Sequence, residues 1–290
     1  MTEEIVSFTP YKIQTTLITH IYNEEYLLPF FLIHHKDMFD NIIIIDYQSD
    51  DRSLEICKKI CPNCKIIQSR NKYFKASEVD KEVMDIERTI DGIKIVLTVP
   101  EFLFCENIKD LFCENIKYSD EKPAAQFSIR EKLVYSPDNY NFFPKNNYEL
   151  FNNVSSEGVF VSSLGRSSRF IHNYPHGNYG VGRHWPDYKG ILRKHSELPP
   201  EKILLVCFGY CPLNKHMIRR RTQQGERQPE EDIIHRVGFH CQWDEKQIIN
   251  HHVLHVGSER LLLKKDFPNL DNLIKNKLEQ LNSLDDYSVI

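Results

Sequence analysis

Between residues 15 and 99 the apolar positions alternate between two spacings. Thr15 to Ile21 is a short β-branched and apolar run of strand length, and Glu25 to His35 follows with Leu27, Leu28, Phe31 and His35 near helical spacing. Asn41 to Ile45 is continuously apolar, as a central parallel strand buried on both faces requires. Ser53 stands as an N-cap before a helix over Leu54 to Ile60, and Pro62 with Asn63 ends it. Lys65 to Gln68 reads as a third strand. Glu78 to Ile90 places Val79, Val83, Ile86 and Ile90 on one helical stripe, and Asp91-Gly92 turns the chain into a fourth strand, Ile93 to Val99. Strands alternating with helices predict an α/β fold, a Rossmann-like, mostly parallel sheet flanked by helices.

Beyond Pro100 this regularity stops. Leu103 to Lys109 reads LFCENIK and Leu111 to Lys117 repeats it unchanged, which is too short for a solenoid and reads as a local duplication in a surface-lying segment. Ser119 to Gly190 is rich in Asn, Tyr, Ser, Gly and Pro, the composition of a long functional loop, and Ser163 to Trp185 within it reads as a mobile lid. Strand character returns at Lys202 to Gly209 and helical character at Asn214 to Gln224. Asp244 to His255 and Leu270 to Leu284 suggest a helical tail. One domain is expected, with a ligand-binding half at 12–118, an irregular second half at 119–245 and the tail at 246–290.

The chain has 290 residues, with 37 basic against 41 acidic side chains and a formal charge of -4, a balance that calls for neither nucleic acid nor an anionic membrane. Met1 to Pro10 lacks the pattern of a secretory leader and no apolar run approaches the ~20 residues of a membrane span, so a soluble, cytoplasmic protein is expected. Eight cysteines then read as reduced thiols. Cys61 and Cys64, with Cys57 close by, have a Cys-x-x-Cys spacing that begins many zinc and redox sites, but no second ligand pair follows and Cys207 and Cys211 are too loosely spaced.

Polar clusters stand directly after the first two strands, where open parallel sheets bind ligands: Asn23-Glu24-Glu25, and Asp46-Tyr-Gln-Ser49-Asp-Asp51-Arg-Ser53. Carboxylates there can accept from ribose hydroxyls or an imide N–H. They also suit a purely structural role, as loop acceptors, helix caps and acidic groups in a helix's first turn.

The stretches LITHIYNEEYLLPFFLIHH and IIIIDYQSDDRSLEI resemble the opening of glycosyltransferase family 2, whose members have the GT-A fold. Asp46, Ser49, Asp51, Arg52 and Ser53 match the family's pattern after the second strand, while Tyr47, Gln48 and Asp50 depart from it. The resemblance covers about the first third of the chain and implies a nucleotide-diphosphate sugar donor, an acceptor hydroxyl and inversion at the anomeric carbon. Asn23, Glu24, Asp46, Ser49, Asp51 and Arg70 are then expected to bind the donor.

Many such enzymes carry Asp-x-Asp after the fourth strand to hold Mn or Mg. This chain has Thr98-Val-Pro100-Glu101-Phe-Leu103, a Glu-Phe-Leu motif with one carboxylate, so no metal ligand is assigned and a Mn or Mg cofactor is doubtful. The departing diphosphate must then meet side-chain cations. Arg169, His172, Arg183 and His184 are the candidates in the Gly-rich stretch, with Arg166 and His176 beside them, and Arg220 on the later helix. The consecutive Arg219, Arg220 and Arg221 cannot share one helix face. Glu101 is the expected general base, with His240 in reserve, and His251 and His255 read as surface residues. A sugar-nucleotide-binding protein without turnover is the competing reading. A nucleotidyltransferase is less suited, because no Gly-rich loop follows the first strand.

Overall fold

The structure of the protein, a computed structural model, describes residues 13–116, 124–134, 143–151, 158–160 and 169–255, with isolated helical positions at 272, 275 and 276. Met1 to Pro10, Gly165, Arg166 and most of the expected Leu270 to Leu284 helix lie outside these residues.

The first half alternates as the spacing predicts: β1 Thr15–Ile21, α1 Leu28–His35, β2 Asn41–Asp46, α2 Ser53–Ile60, β3 Lys65–Gln68, α3 Ala76–Glu87 and β4 Ile93–Val96. After a short break come β5 Glu101–Cys105 and α4 Ile108–Ile116, then β6 Gln126–Ser128, β7 Glu131–Val134, α5 Asn147–Phe151, β8 Gly158–Phe160 and β9 Phe170–His172. Small strands follow at β10 Asp187–Tyr188, β11 Ile191–Leu192 and β12 Ser196–Glu197, before β13 Ile203–Cys207, α6 Lys215–Thr222, α7 Glu230–Ile234 and α8 Glu245–His255.

Seven strands form the main sheet in the order β12-β6-β9-β4-β1-β2-β3, and only β9 runs against its neighbours. The α/β expectation of a mostly parallel, helix-flanked sheet is met. β1 and β2, at its centre, bury Leu17, Ile18, Ile44 and Ile45 completely, which is why their sequences are apolar without alternation. A second sheet, β5-β13-β7-β8, packs beside it, and β10 pairs with β11. β5 belongs to this second sheet, so the expected fourth strand ends at Val96 and the chain changes sheets through Leu97 to Pro100.

α1 is apolar on every side and lies between the layers with Phe31, Leu32, His34 and His35 buried. Its two histidines close an exposed strand edge. The Leu103 N–H donates to His35 Nε2 at 3.1 Å, and His34 Nε2 donates to the Leu103 carbonyl at 2.7 Å, so both backbone polar groups of Leu103, in the middle of edge strand β5, are satisfied. His35 therefore carries its proton on Nδ1, 2.9 Å from the Phe31 carbonyl.

The two LFCENIK copies differ in structure. Leu103, Phe104 and Cys105 are strand, whereas Leu111 to Ile116 are helix. Both are anchored in the core, with Leu103, Phe104, Leu111 and Phe112 buried, which corrects the expectation of a surface-lying duplication. Among the described residues no helix is long and apolar enough to cross a membrane.

Candidate active site

A cavity of about 660 Å³ opens beyond the carboxyl ends of β1, β2 and β4, where the two sheets diverge. His20 and Tyr22 reach it from β1, Tyr47 from β2, and Thr98 to Glu101 form its floor. The far wall comes from the second half: Cys207, Gly209 and Tyr210 after β13, Arg220 and Arg221 on α6, and Phe239, His240, Trp243 and His251. Of the expected site residues, Glu24, Glu101, Arg169, Arg183, His184, Arg220 and His240 line it. Asn23, Asp46, Ser49, Asp51, Arg70 and His172 are not among its lining residues.

The motif residues outside the cavity stitch two loops together. Asn23 N–H donates to Ser49 Oγ at 3.1 Å, the Asn23 side chain and Asp50 exchange bonds of 2.7 and 2.9 Å, and Glu25 N–H donates to Asp51 Oδ2 at 3.0 Å. Asp46 Oδ1 accepts from the Ser49 N–H at 3.0 Å and Asp51 Oδ1 from the Ser53 N–H at 2.9 Å. Ser53 does not cap α2 as expected; its hydroxyl accepts from Glu24 N–H at 2.9 Å and so fastens the first loop. The result is the Asx-type bonding available to any Asp- and Ser-rich turn. Arg70 pairs with Asp85 on α3 at 2.5 Å, facing solvent. His172 is fully buried and bonds Glu87 at 3.0 Å, which also accepts from Tyr179 Oη at 2.8 Å and Gly177 N–H at 2.7 Å. That network ties β9 and residues 177–179 to α3.

The arginine triplet on α6 fans out as helical geometry demands. Arg219 pairs with Glu226, Arg220 grips Glu24 through Nε and Nη2 at 2.6 and 2.7 Å, and Arg221 donates to Tyr210 Oη at 2.8 Å while lying 4.5 Å over its ring. Asn214 starts this helix by accepting from the N–H groups of His216 and Met217. Arg227 lies 3.9 Å over the Tyr22 ring, which adds a fifth guanidinium to Arg169, Arg183, Arg220 and Arg221 around the same space.

Glu101 is not the isolated carboxylate its sequence surroundings suggest. Arg169, immediately before β9, donates to it through Nε at 2.9 and 3.1 Å and Nη2 at 2.7 Å, and the Thr98 N–H donates to Oε2 at 2.7 Å. The side chains of this pair are 6% and 3% exposed, so the ion pair is effectively desolvated. Burial alone would push the Glu101 carboxyl up, but the Arg169 charge and these bonds hold it below its ordinary value. A carboxylate with both oxygens occupied and a depressed pKa is a poor proton acceptor, which corrects the reasoning that made Glu101 the base. Elsewhere in the cavity burial raises the Glu24 carboxyl, with Arg220 countering only part of the effect. Burial, followed by the charges of Arg183, Arg169 and Arg220, lowers His20 well below its usual value and keeps that imidazole neutral.

β7 and β13 also bring Glu131 and Cys207 to Glu101, all three offering a ligand atom within 4.8 Å of one another. The sequence gives no sign of this, because the three residues come from separate strands. A Mn or Mg ion does not fit the set: Arg169 already grips Glu101, and a thiol is a soft ligand where a hard cation wants oxygen.

Arg183 is held in the left-handed region at φ 60°, following Gly182 at φ 79°. The Asp80 carboxylate on α3 fixes that conformation, accepting from Gly182 N–H at 2.7 Å and from Arg183 Nη1 at 2.5 Å. Of the expected mobile loop Ser163 to Trp185, residues 163–168 lie outside the described residues; across 169–185 Arg169 Nη1 also donates to the Gly182 carbonyl at 2.6 Å and buried Asn178 donates to the Pro186 and Ile191 carbonyls at 2.8 and 2.6 Å. Two donors remain. Among the described residues, the buried Nε atoms of Arg183 and Arg221 have no hydrogen-bond partner. His251, expected on the surface, instead stacks on Tyr210 at 4.6 Å and meets Trp243 at 4.7 Å inside the cavity wall. The contributions of His20, Tyr22, Tyr47, Tyr210, Arg227, Trp243 and His251 carry no local signal, being single residues scattered over the chain.

No family model matches the sequence, and no curated protein matches it. Among solved structures, S. aureus TarS 1-349 is similar over 93% of this chain and 83% of its own, at 13% identity and a TM-score of 0.43. The mannosyltransferase PcManGT from Pyrobaculum calidifontis, in complex with GDP-Man and Mn2+, is similar over 93% and 76%, at 13% identity and a TM-score of 0.42. With the UDP complex of TarS 1-349 the alignment covers 42% of this chain and 36% of that one, well under two thirds of its length, at 19% identity and a TM-score of 0.31. Likeness of this degree stops at general architecture.

Proposed function

We propose that the cavity binds a nucleoside diphosphate sugar and that the protein is a GT-A-like glycosyltransferase, passing the sugar to an acceptor hydroxyl with inversion. The observation that carries this reading is the convergence of five guanidinium groups, on Arg169, Arg183, Arg220, Arg221 and Arg227, around one cavity. Guanidinium groups bond oxyanions with charge-assisted, often bidentate geometry, so an anion with several acceptor oxygens is their natural complement. A diphosphate supplies them. Its place beyond the carboxyl ends of β1, β2 and β4 is where open α/β sheets take nucleotides.

In this reading the arginines neutralise the leaving diphosphate as charge develops on it. Glu101 orients Arg169 and does not take the acceptor proton. Glu24 performs the same service for Arg220. Among the described residues that line the cavity, His240 serves as the proton acceptor, with His184, His251 and Glu131 beside the same space. A specific observation favours a second reading, binding without turnover: Glu24 and Glu101 both spend their oxygens on arginine.

Thermal-shift measurement with UDP-, GDP- and dTDP-sugars, each with and without Mn, tests the first step, since a ligand at 100 times its Kd raises stability by about 2.7 kcal/mol. Failure of every nucleotide to bind overturns the proposal. Binding with no release of nucleoside diphosphate over a broad panel of acceptors supports the binding-only reading.

A further inference from the structure

Pro62 and Asn63 sit in a tight turn at the C-terminal end of α2, at the opposite end of that helix from the loop that Ser53 fastens. The Cys64 N–H donates to the Cys61 carbonyl at 3.0 Å, closing a four-residue turn with a cysteine at each end. Such a turn keeps its end Cα atoms within about 7 Å, and a disulfide spans about 4.4 to 6.8 Å between Cα atoms. The two thiols are within hydrogen-bond reach of each other. Proline at the second position of the turn fixes its backbone before any sulfur bond forms.

From this geometry we propose that Cys61 and Cys64 form a redox-active dithiol, a reversible modification site that closes to an intramolecular disulfide. A zinc site is the other use of Cys-x-x-Cys, but among the described residues no third His, Cys, Asp or Glu ligand stands with this pair at metal-site spacing. The three neighbouring thiols differ in access and in acidity. Cys57 is completely buried and its thiol is pushed up to about 12, chiefly by burial, so it stays protonated. Cys64 is partly exposed, whereas Cys61 is buried, 9% exposed. The hydrogen bond from Cys64 lowers the Cys61 thiol against the opposing effect of burial, and the Lys36 charge adds to the lowering. In this proposal Cys61 is the attacking sulfur and Cys64 the resolving one.

With hydrogen peroxide as the oxidant, the Cys61 thiolate attacks one oxygen, the O–O bond breaks, and the departing hydroxide takes a proton to become water. Cys61 is left as a sulfenic acid. The Cys64 sulfur then attacks the Cys61 sulfur and gives up its proton, the S–O bond breaks, and a second water leaves as the S–S bond forms. Two electrons pass from the two thiols to one peroxide. A small dithiol restores both cysteines by exchange.

The test uses the full chain, reduced and then exposed to hydrogen peroxide, with free thiols blocked by N-ethylmaleimide and mapped by peptide mass spectrometry. The expected result is a 61–64 disulfide peptide lighter by two hydrogens, both sites unlabelled, and full relabelling after dithiothreitol. Cys64→Ser, at a partly exposed position, should stop the reaction at a Cys61 sulfenic acid that dimedone traps. The proposal fails if Cys61 and Cys64 both remain alkylatable after peroxide, if Cys61 runs on to the sulfinic acid while Cys64 stays free, or if the disulfide found joins other cysteines or two chains.

Discussion

Replacing Glu101 by Gln separates a structural carboxylate from a catalytic one. The amide keeps the volume of the side chain, but Oε1 and Oε2 both accept from protein donors, so either orientation of the amide turns one NH2 towards Arg169 or the Thr98 N–H. The change also leaves the Arg169 guanidinium buried without its counter-charge. Breaking a buried pair in this way costs about 3 to 5 kcal/mol, which at a urea m-value near 3 kcal/mol/M lowers the midpoint by about 1 to 1.7 M. The double variant Glu101→Gln with Arg169→Met removes the stranded charge and should recover part of that loss. Urea unfolding followed by tyrosine and tryptophan fluorescence measures all three proteins. The pH dependence adds a second check. Because the folded Glu101 pKa is depressed, its contribution is fully present above the ordinary value of 4.5 and is lost as pH falls through the lower folded value. Glu24 and Asp80, whose folded values are raised, titrate with the opposite sign, but they are common to both proteins and cancel in the comparison. The gap between parent and Glu101→Gln should therefore be constant from neutrality down to about 4.5 and narrow below it. A Glu101→Gln protein within about 1 kcal/mol of the parent, with donor affinity kept and transfer lowered by ~100-fold, would refute the structural reading and return Glu101 to the role of base.

Other consequences are simpler to measure. Arg221→Met leaves no carboxylate stranded, since the bond given up goes to Tyr210 Oη, and it should weaken binding of a nucleoside diphosphate by about 10- to 150-fold, the value of one charge-assisted bond; unchanged affinity in calorimetry would place the anion elsewhere. Glu87, whose depressed pKa reflects the His172, Gly177 and Tyr179 contacts overcoming burial, should give Glu87→Gln the same narrowing stability gap below about 4.5, seen in acid titrations of the parent and variant. Limited proteolysis should leave 169–185 uncut with or without a nucleotide sugar, because Asn178, Gly182 and Arg183 are bonded to their surroundings; cleavage near Asn178 that a donor suppresses would restore the lid.

The sequence by itself determined the parallel half of the fold. Thr15–Ile21, Asn41–Asp46 and Lys65–Gln68 are local runs of strand length, and α2 between the last two carries its own stripe and stop. It also marked the arginines, since charge and spacing are visible without a fold. Tertiary structure decided the rest. Gln126–Ser128, Glu131–Val134 and Phe170–His172 are too short to show a period and are strands because the sheet edges of their neighbours supply the partners. Glu101 looks solitary until β9 delivers Arg169 from 68 positions away. Asp46 and Asp51 look like ligand residues, yet their oxygens close a local loop. LFCENIK shows the limit most directly, because identical residues form strand β5 where β13 and the histidines of α1 offer hydrogen bonds, and helix α4 in the copy that follows. Local propensity in so short a segment differs between strand and helix by less than the bonds and burial its neighbours provide, so the neighbours choose.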